Sequence, residues 1–252
     1  MSGPRQAAPG RSPVWLLTTL FALLAALALG AAGADSAPAP AAPQGLVAAY
    51  NFDEASGSTV NDSSGNGNTG TISGAARTTS GKYGRALTFD GTNDLVSIAD
   101  SNSLHLTTGM TLEAWVNPSA LGTSWRTVLM KETSGDMVYD LYGNRNTTVP
   151  TTEVRVGGSA QSDNGTSALP LNTWVHLAST YDGNVLRLYV NGTQVSQLLV
   201  VGSIATSTGA LRIGGNTIWP EWFAGLIDEV RIYNRALTQT QIQADMNTRV
   251  GP

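Results

Sequence analysis

Along most of this chain apolar residues fall on alternate positions over short stretches, and Gly, Asn, Asp or Pro separates one stretch from the next. Met110-Thr111-Leu112-Glu113-Ala114-Trp115-Val116-Asn117 and Trp174-Val175-His176-Leu177-Ala178-Ser179-Thr180-Tyr181 are the clearest cases. A period of two places the apolar side chains on one face of an extended backbone, so these stretches predict β-strands. Tyr181-Asp182-Gly183-Asn184 leads into Val185-Leu186-Arg187-Leu188-Tyr189-Val190, and Asn191-Gly192 leads out of it. Asp-Gly and Asn-Gly tolerate the backbone of tight hairpins, which predicts consecutive antiparallel strands. One segment has helical spacing. Thr238-Gln239-Thr240-Gln241 fits a capping box, with Ile242 and Met246 four apart on one face, giving a short C-terminal helix or single turn. The spacing of strands and turns suits an all-β sandwich or jelly roll, and no repeat or long linker interrupts residues 45–250.

The N-terminus has a different pattern. Residues 1–13 carry Arg5 and Arg11 and no acid, and Val14 to Leu29 is a run of sixteen uncharged residues. That run is shorter than the roughly 20 apolar residues a spanning helix needs. Ala32 and Ala34 then have the small-residue spacing of a peptidase site, so residues 1–34 read as a secretory signal peptide cleaved before Asp35. The alternative is an uncleaved membrane anchor. Residues 35–44 form an Ala/Pro linker, extended and semi-rigid, and the folded domain is expected over 45–250. This places the mature protein outside the cell, with no membrane insertion after cleavage.

Composition narrows the function. Only 13% of the 252 residues are charged, Lys occurs only at 82 and 131, and Gly numbers 28, all of which argue against a helical bundle. The net charge is −4, and losing Arg5 and Arg11 with the leader would leave 12 basic against 18 acidic residues, so a nucleic-acid partner is not expected. There is no Cys. Stability outside the cell must then come from the core or from a metal cross-link, and calcium is available there.

Catalytic patterns are scarce. His105 and His176 are the only histidines, neither H-E-x-x-H nor G-x-S-x-G occurs, and His176 sits in a strand where a structural role is expected. Gly65-Asn66-Gly67-Asn68-Thr69-Gly70 matches a dinucleotide fingerprint in letters, but no apolar strand precedes it and no helix follows. Asp62-x-Ser64-x-Asn66-Gly67 copies the first half of an oxygen-ligand calcium loop, while Ser73 stands where a bidentate Glu would close it. The same letters also describe an Asx-type turn with no ion. Further carboxylates come from Asp53-Glu54 and Asp228-Glu229; strict alternation would set Asp228 among Leu226, Val230 and Ile232, where it needs a cation or hydrogen bonds. Arg231 or Arg235 could serve in place of an ion. Trp125, Trp219 and Trp222 lie in loop-like stretches and suit either sugar stacking or core filling.

Taken in order, several motifs resemble the LamG-like jelly-roll domains of the concanavalin A-like lectin/glucanase superfamily. They are Tyr50-Asn51-Phe52-Asp53-Glu54, Asp62 to Asn68, Gly84-Arg85-Ala86-Leu87-Thr88-Phe89-Asp90-Gly91, the Trp115 and Trp174 strands, Leu188-Tyr189-Val190-Asn191-Gly192 and Gly225 to Leu237. The resemblance implies a two-sheet antiparallel jelly-roll sandwich with a short C-terminal helix and a concave face flanked by variable loops. It also implies a structural Ca2+ tying the first strand to the last, on Asp53, Asp62, Asn66 and Asp228, with Glu54 as a substitute for Asp53. Catalytic relatives carry spaced acids of the kind Glu-x-Asp-x-x-Glu on one strand; no such run occurs here, so no enzyme activity is expected. The expected function is a secreted, non-catalytic module binding an extracellular glycan or glycoprotein through Trp125, Trp219 and Trp222. A surface domain binding a protein, or an enzyme with an unrecognised site, are the alternatives.

Overall fold

The computed structural model describes residues 43–251, with the isolated Gly3 and Gly10. The expected signal peptide and most of the expected Ala/Pro linker lie outside the described residues. Two antiparallel sheets stack face to face. One runs β14 (Thr193–Leu199), β13 (Val185–Val190), β12 (Val175–Tyr181), β7 (Met110–Ala120), β16 (Ala224–Tyr233), β5 (Ala86–Asp90) and β4 (Ala76–Thr78), with β1 (Leu46–Tyr50) also paired to β16. The other runs β11 (Ser159–Asn164), β10 (Thr151–Val156), β9 (Asp136–Asn144), β8 (Arg126–Thr133), β15 (Leu211–Ile213), β6 (Leu95–Ile98), β3 (Gly70–Ser73) and β2 (Thr59–Val60). This is the jelly-roll sandwich that the alternation predicts.

Leu112, Ala114 and Val116 of β7, Val175, Leu177 and Tyr181 of β12 and Val154 of β10 meet between the sheets, together with Phe89 and Phe223. The Asn191-Gly192 turn is the expected tight hairpin: both residues have positive φ, 49° and 70°, and Val190 pairs with Thr193. β16 departs from the expected pattern. Its pairing with β7 jumps from Asp228↔Trp115 to Arg231↔Glu113, a bulge centred on Glu229 at φ 54°. The extra residue resets the alternation, so Ile227, Val230 and Ile232 all reach the core while Asp228 does not share their side.

The first sheet's outer face is covered by the C-terminal helix α1 (Gln239–Met246). Its start is the predicted capping box: Thr238 and Gln241 exchange side-chain-to-backbone hydrogen bonds. Ile242 packs on Ala178, Tyr189, Tyr233 and Leu237. The Trp115 Nε1 and the Tyr83 hydroxyl both donate to the Met246 carbonyl at 3.2 Å. Beneath this cover Glu113 and His176 are fully buried, and neither the Glu113 carboxylate nor either His176 ring nitrogen has a hydrogen-bond partner. Among the described residues no helix is long and apolar enough to cross a membrane.

Candidate functional site

Among the described residues no helix lies over the second sheet's outer face. Along β9 and β10 the core takes Tyr139, Leu141, Val154 and Val156, so Asp140, Tyr142, Glu153 and Arg155 are turned to the other side. Asp140 stands opposite Met130 of β8 and Glu153 of β10. Met130, Met137 and Tyr142 form a small apolar patch on this side, against which Trp125 and Trp219 pack. The aromatic rings therefore have a floor that is separate from the main core.

Two loops deliver the tryptophans, and buried polar residues fix both. Asn144, at the end of β9, donates to the carbonyls of Gly122 at 3.1 Å and Ser124 at 2.8 Å, which holds the turn before Trp125. Asn216 is fully buried; its Oδ1 accepts from the backbone of Ile218 at 3.1 Å and Trp219 at 2.7 Å, while its Nδ2 donates to Thr127 at 3.0 Å and Glu221 at 2.9 Å. Glu132 accepts from the Thr217 backbone at 2.6 Å and from Arg212 at 2.9 Å, pinning the same loop to β15. The result is a cleft of about 330 Å³ lined by Trp125, Asp136, Tyr142, Arg145, Glu153, Trp219 and Glu221, at the small end of the range for ligand pockets.

Inside the cleft the Trp125 and Tyr142 rings meet edge to face with centroids 4.8 Å apart, and the Arg145 guanidinium lies 5.2 Å from the Trp125 centroid. The Tyr142 hydroxyl donates to Glu221 at 2.7 Å. Asp140 accepts from the Glu153 backbone at 2.8 Å on Oδ1, but its Oδ2 is buried without a partner. Burial, reinforced by the charge of Glu153 and Glu221, holds the Asp140 carboxyl well above the usual carboxylate range. Burial raises Glu221 as well, against the lowering effect of its bonds from Tyr142 and Asn216. Aromatic faces beside hydrogen-bond acceptors can hold a ring that is apolar on its face and hydroxylated at its edge.

Of the tryptophans expected to bind ligand, Trp125 and Trp219 come together here and Trp222 does not. Its ring packs on Gly215, where an added Cβ would lie 2.3 Å from it, and its carbonyl takes a bond from Arg126 at 2.8 Å. The cleft's carboxylates, with Tyr142 and Arg145, are additions to the sequence-based set. Thr151-Thr152-Glu153-Val154-Arg155-Val156 carries a clean alternation that marks Glu153 and Arg155 as facing away from the core.

The four expected calcium ligands fall into two groups. Asp62 accepts four hydrogen bonds, from the backbone of Ala49, Ser64 and Asn68 at 2.9 Å each and from the Ser64 hydroxyl at 2.8 Å. Both carboxylate oxygens of Asp62 are thus engaged by the protein itself. Asn66, beside it, donates to the Leu46 carbonyl at 3.2 Å. Glu54 is held by Arg77 at 2.8 Å. Asp53 and Asp228 instead converge on residues 82–85: Asp53 accepts from the Arg85 backbone at 2.8 Å and pairs with Arg249, while Asp228 accepts from the Tyr83 backbone at 3.1 Å. Burial pushes Asp228 up to about 8 and Glu229 up to about 7, and Glu229 Oε1 has no partner. Among the described residues no three His, Cys, Asp or Glu side chains are arranged to hold a metal.

Comparison with known proteins identifies the superfamily. A family profile described as the concanavalin A-like lectin/glucanases superfamily matches residues 90–243. Mouse and human pappalysin-1 are similar, at 36% identity over 81 residues and 34% over 80; each match takes in 30% of this chain, which spans only 5% of those relatives' length. Among solved structures, domain 4 of AbnA, an extracellular arabinanase of Geobacillus stearothermophilus solved in complex with arabinotriose, is 26% identical with a TM-score of 0.60, covering 80% of this chain and 98% of that one. The binding domain of Paraclostridial Mosquitocidal Protein 1 shares the fold at 13% identity and a TM-score of 0.66, over 81% of this chain and 52% of that chain. A Trypanosoma rangeli sialidase does so at 19% and 0.62, over 82% and 33%. With the profile spanning more than half its length, the chain belongs to the concanavalin A-like lectin/glucanases superfamily.

Proposed function

We propose that the chain is an extracellular, non-catalytic carbohydrate-binding module whose ligand lies in the cleft between Trp125 and Trp219. The observation that carries this reading is the cleft itself: two tryptophans on a floor that includes Tyr142, ringed by carboxylates and one guanidinium. The likeness to AbnA domain 4 over that domain's whole length, in a structure holding an arabinose trimer, supports the class of ligand. The basic and apolar leader with its Ala32-x-Ala34 site supports export. Few rings and a small cleft make affinity for a single chain weak, roughly millimolar or about 4 kcal/mol, and useful through multivalent attachment. Titrating arabinotriose and a panel of other oligosaccharides while following tryptophan fluorescence tests the reading. Trp125→Ala and Trp219→Ala each weaken binding tenfold or more, whereas Trp222→Ala, outside the cleft, does not. If both cleft variants bind as the parent does, the site lies elsewhere; release of shortened sugars on long incubation would make the module an enzyme.

We also infer a structural calcium at Asp53 and Asp228, its remaining oxygen ligands to come from backbone carbonyls and water. Carboxylate oxygens are the donors calcium prefers. The buried Asp228 carboxylate is one that a cation would neutralise. When bound, the ion would neutralise these acids and cross-link the end of β1 to β16.

A further inference from the structure

Asp140 lies beneath the cleft and not in its lining, and it is fully buried. Its partners across the sheet are Met130 of β8 and Glu153 of β10, and it forms no ion pair among the described residues. The other charged groups around it are committed elsewhere. Arg155 pairs with Asp136, while Arg145, the lining's one cation, bonds Asn164 and lies against Trp125. On β8 Lys131 pairs with Asp100 and Glu132 with Arg212, and in the loop after β15 Glu221 accepts from Tyr142. Asp140 Oδ1 accepts the Glu153 backbone N–H at 2.8 Å, and Oδ2 is reached by no donor. The Asp140 and Glu153 carboxyl groups stand within hydrogen-bond reach of each other.

An unpaired buried carboxylate costs several kcal/mol, and a proton removes that cost. Two carboxyl groups in contact do not both ionise, and the more deeply buried one keeps the proton. A neutral acid has one O–H donor, and Oδ2 is the oxygen left to carry it. We propose, building on the carbohydrate-binding reading, that Asp140 is a positioning residue: it holds a proton on Oδ2 and donates it in a hydrogen bond to Glu153, fixing that carboxylate as an ionised acceptor for a sugar hydroxyl. Glu153 is then held by two donors, Asp140 and the Ser162 hydroxyl, with lone pairs left for the ligand. Arg145 brings a donor to the same lining, so the site matches an uncharged sugar whose hydroxyls both give and accept.

The test combines infrared spectroscopy with titration of arabinotriose. At neutral pH the parent-minus-Asp140→Asn difference spectrum is expected to show the carbonyl stretch of a protonated carboxyl group. Asp140→Leu, which has no donor, is expected to bind about tenfold more weakly, the loss of one hydrogen bond to a charged group. Asp140→Asn, whose amide donates in place of the acid, recovers most of that loss. Should the leucine variant not fold, the spectrum and the asparagine variant decide. A difference spectrum showing an ionised carboxylate overturns the proposal, as does undiminished binding by Asp140→Leu or an equal loss in Asp140→Asn. If the parent binds neither arabinotriose nor any other glycan, the carbohydrate reading falls and the positioning role with it, whereas binding by the parent with unaffected variants removes the positioning role alone.

Discussion

A histidine with no partner at either ring nitrogen is tolerated in an interior only while it stays uncharged. His176 meets Trp115 edge-on at 5.3 Å, and burial, aided by the charges of Arg231 and Lys82, pushes its pKa down to about 3. The unfolded chain takes up that proton near 6.5. Between these values the unfolded state binds more protons than the native one, so the histidine's contribution is complete above about 6.5 and is lost as the pH falls toward 3. His176→Leu is therefore expected to be less acid-sensitive than the parent, by an amount on the order of a few kcal/mol across that window in urea melts at stepped pH. Glu113, raised by burial, acts in the opposite direction in both proteins, so the difference between them isolates His176. Parallel pH curves would show that the ring finds a partner. At this scale the sequence was half legible. Trp125 and Trp219 stand among turn formers, which marks them as loop residues, but the acids that converge with them come from β9, β10 and the loop after β15, and nothing local ties Asp140 to Glu221.

Among the elements, α1 shows how much a short helix owes to its cap. It has eight residues, of which Ile242 alone is buried, so intrinsic propensity cannot hold it and the Thr238–Gln241 box matters. Thr238→Ala is expected to lower stability by about 1 kcal/mol. Because α1 covers Glu113 and His176, hydrogen exchange should quicken in β7 and β12 as well as in the helix; a change confined to residues 239–246 would mean that the cover and the sheet open independently. The helix was readable because cap and spacing leave a signature in the letters. The bulge in β16 was not. Its odd residue is Glu229 at φ 54°, where a glycine would have announced the turn, and the apolar pattern around it satisfies strict alternation equally well. The Asp62 segment carried both of its readings openly: an Asx turn and a half calcium loop place oxygens and glycines at the same spacing, and the four hydrogen bonds on Asp62 fit the turn.

For the whole molecule, an ion at Asp53 and Asp228 would bind the folded chain alone and stabilise it by about 2.7 kcal/mol at a hundredfold excess over its dissociation constant. Chelation is expected to lower the melting temperature of the parent and to leave Asp228→Ala unmoved. Asp62→Asn should be destabilised equally with and without chelator, since its bonds are to the protein; a chelator-insensitive parent would leave Arg249 and the backbone as the only partners these acids have. Export is checked by mass spectrometry of the secreted protein, expected to begin at or near Asp35; recovery of the whole chain from membranes would identify an anchor. The pairing of β16 carries a last consequence. This strand lies in the middle of its sheet, with β7 along one edge and β5 and β1 sharing the other, although it is the last in chain order of the described strands. The first sheet is therefore complete only once residues 224–233 have joined strands that stand far earlier in the sequence, and pairings so distant form slowly. If the chain is exported as proposed, this strand order would give it time to thread a translocation channel before it folds.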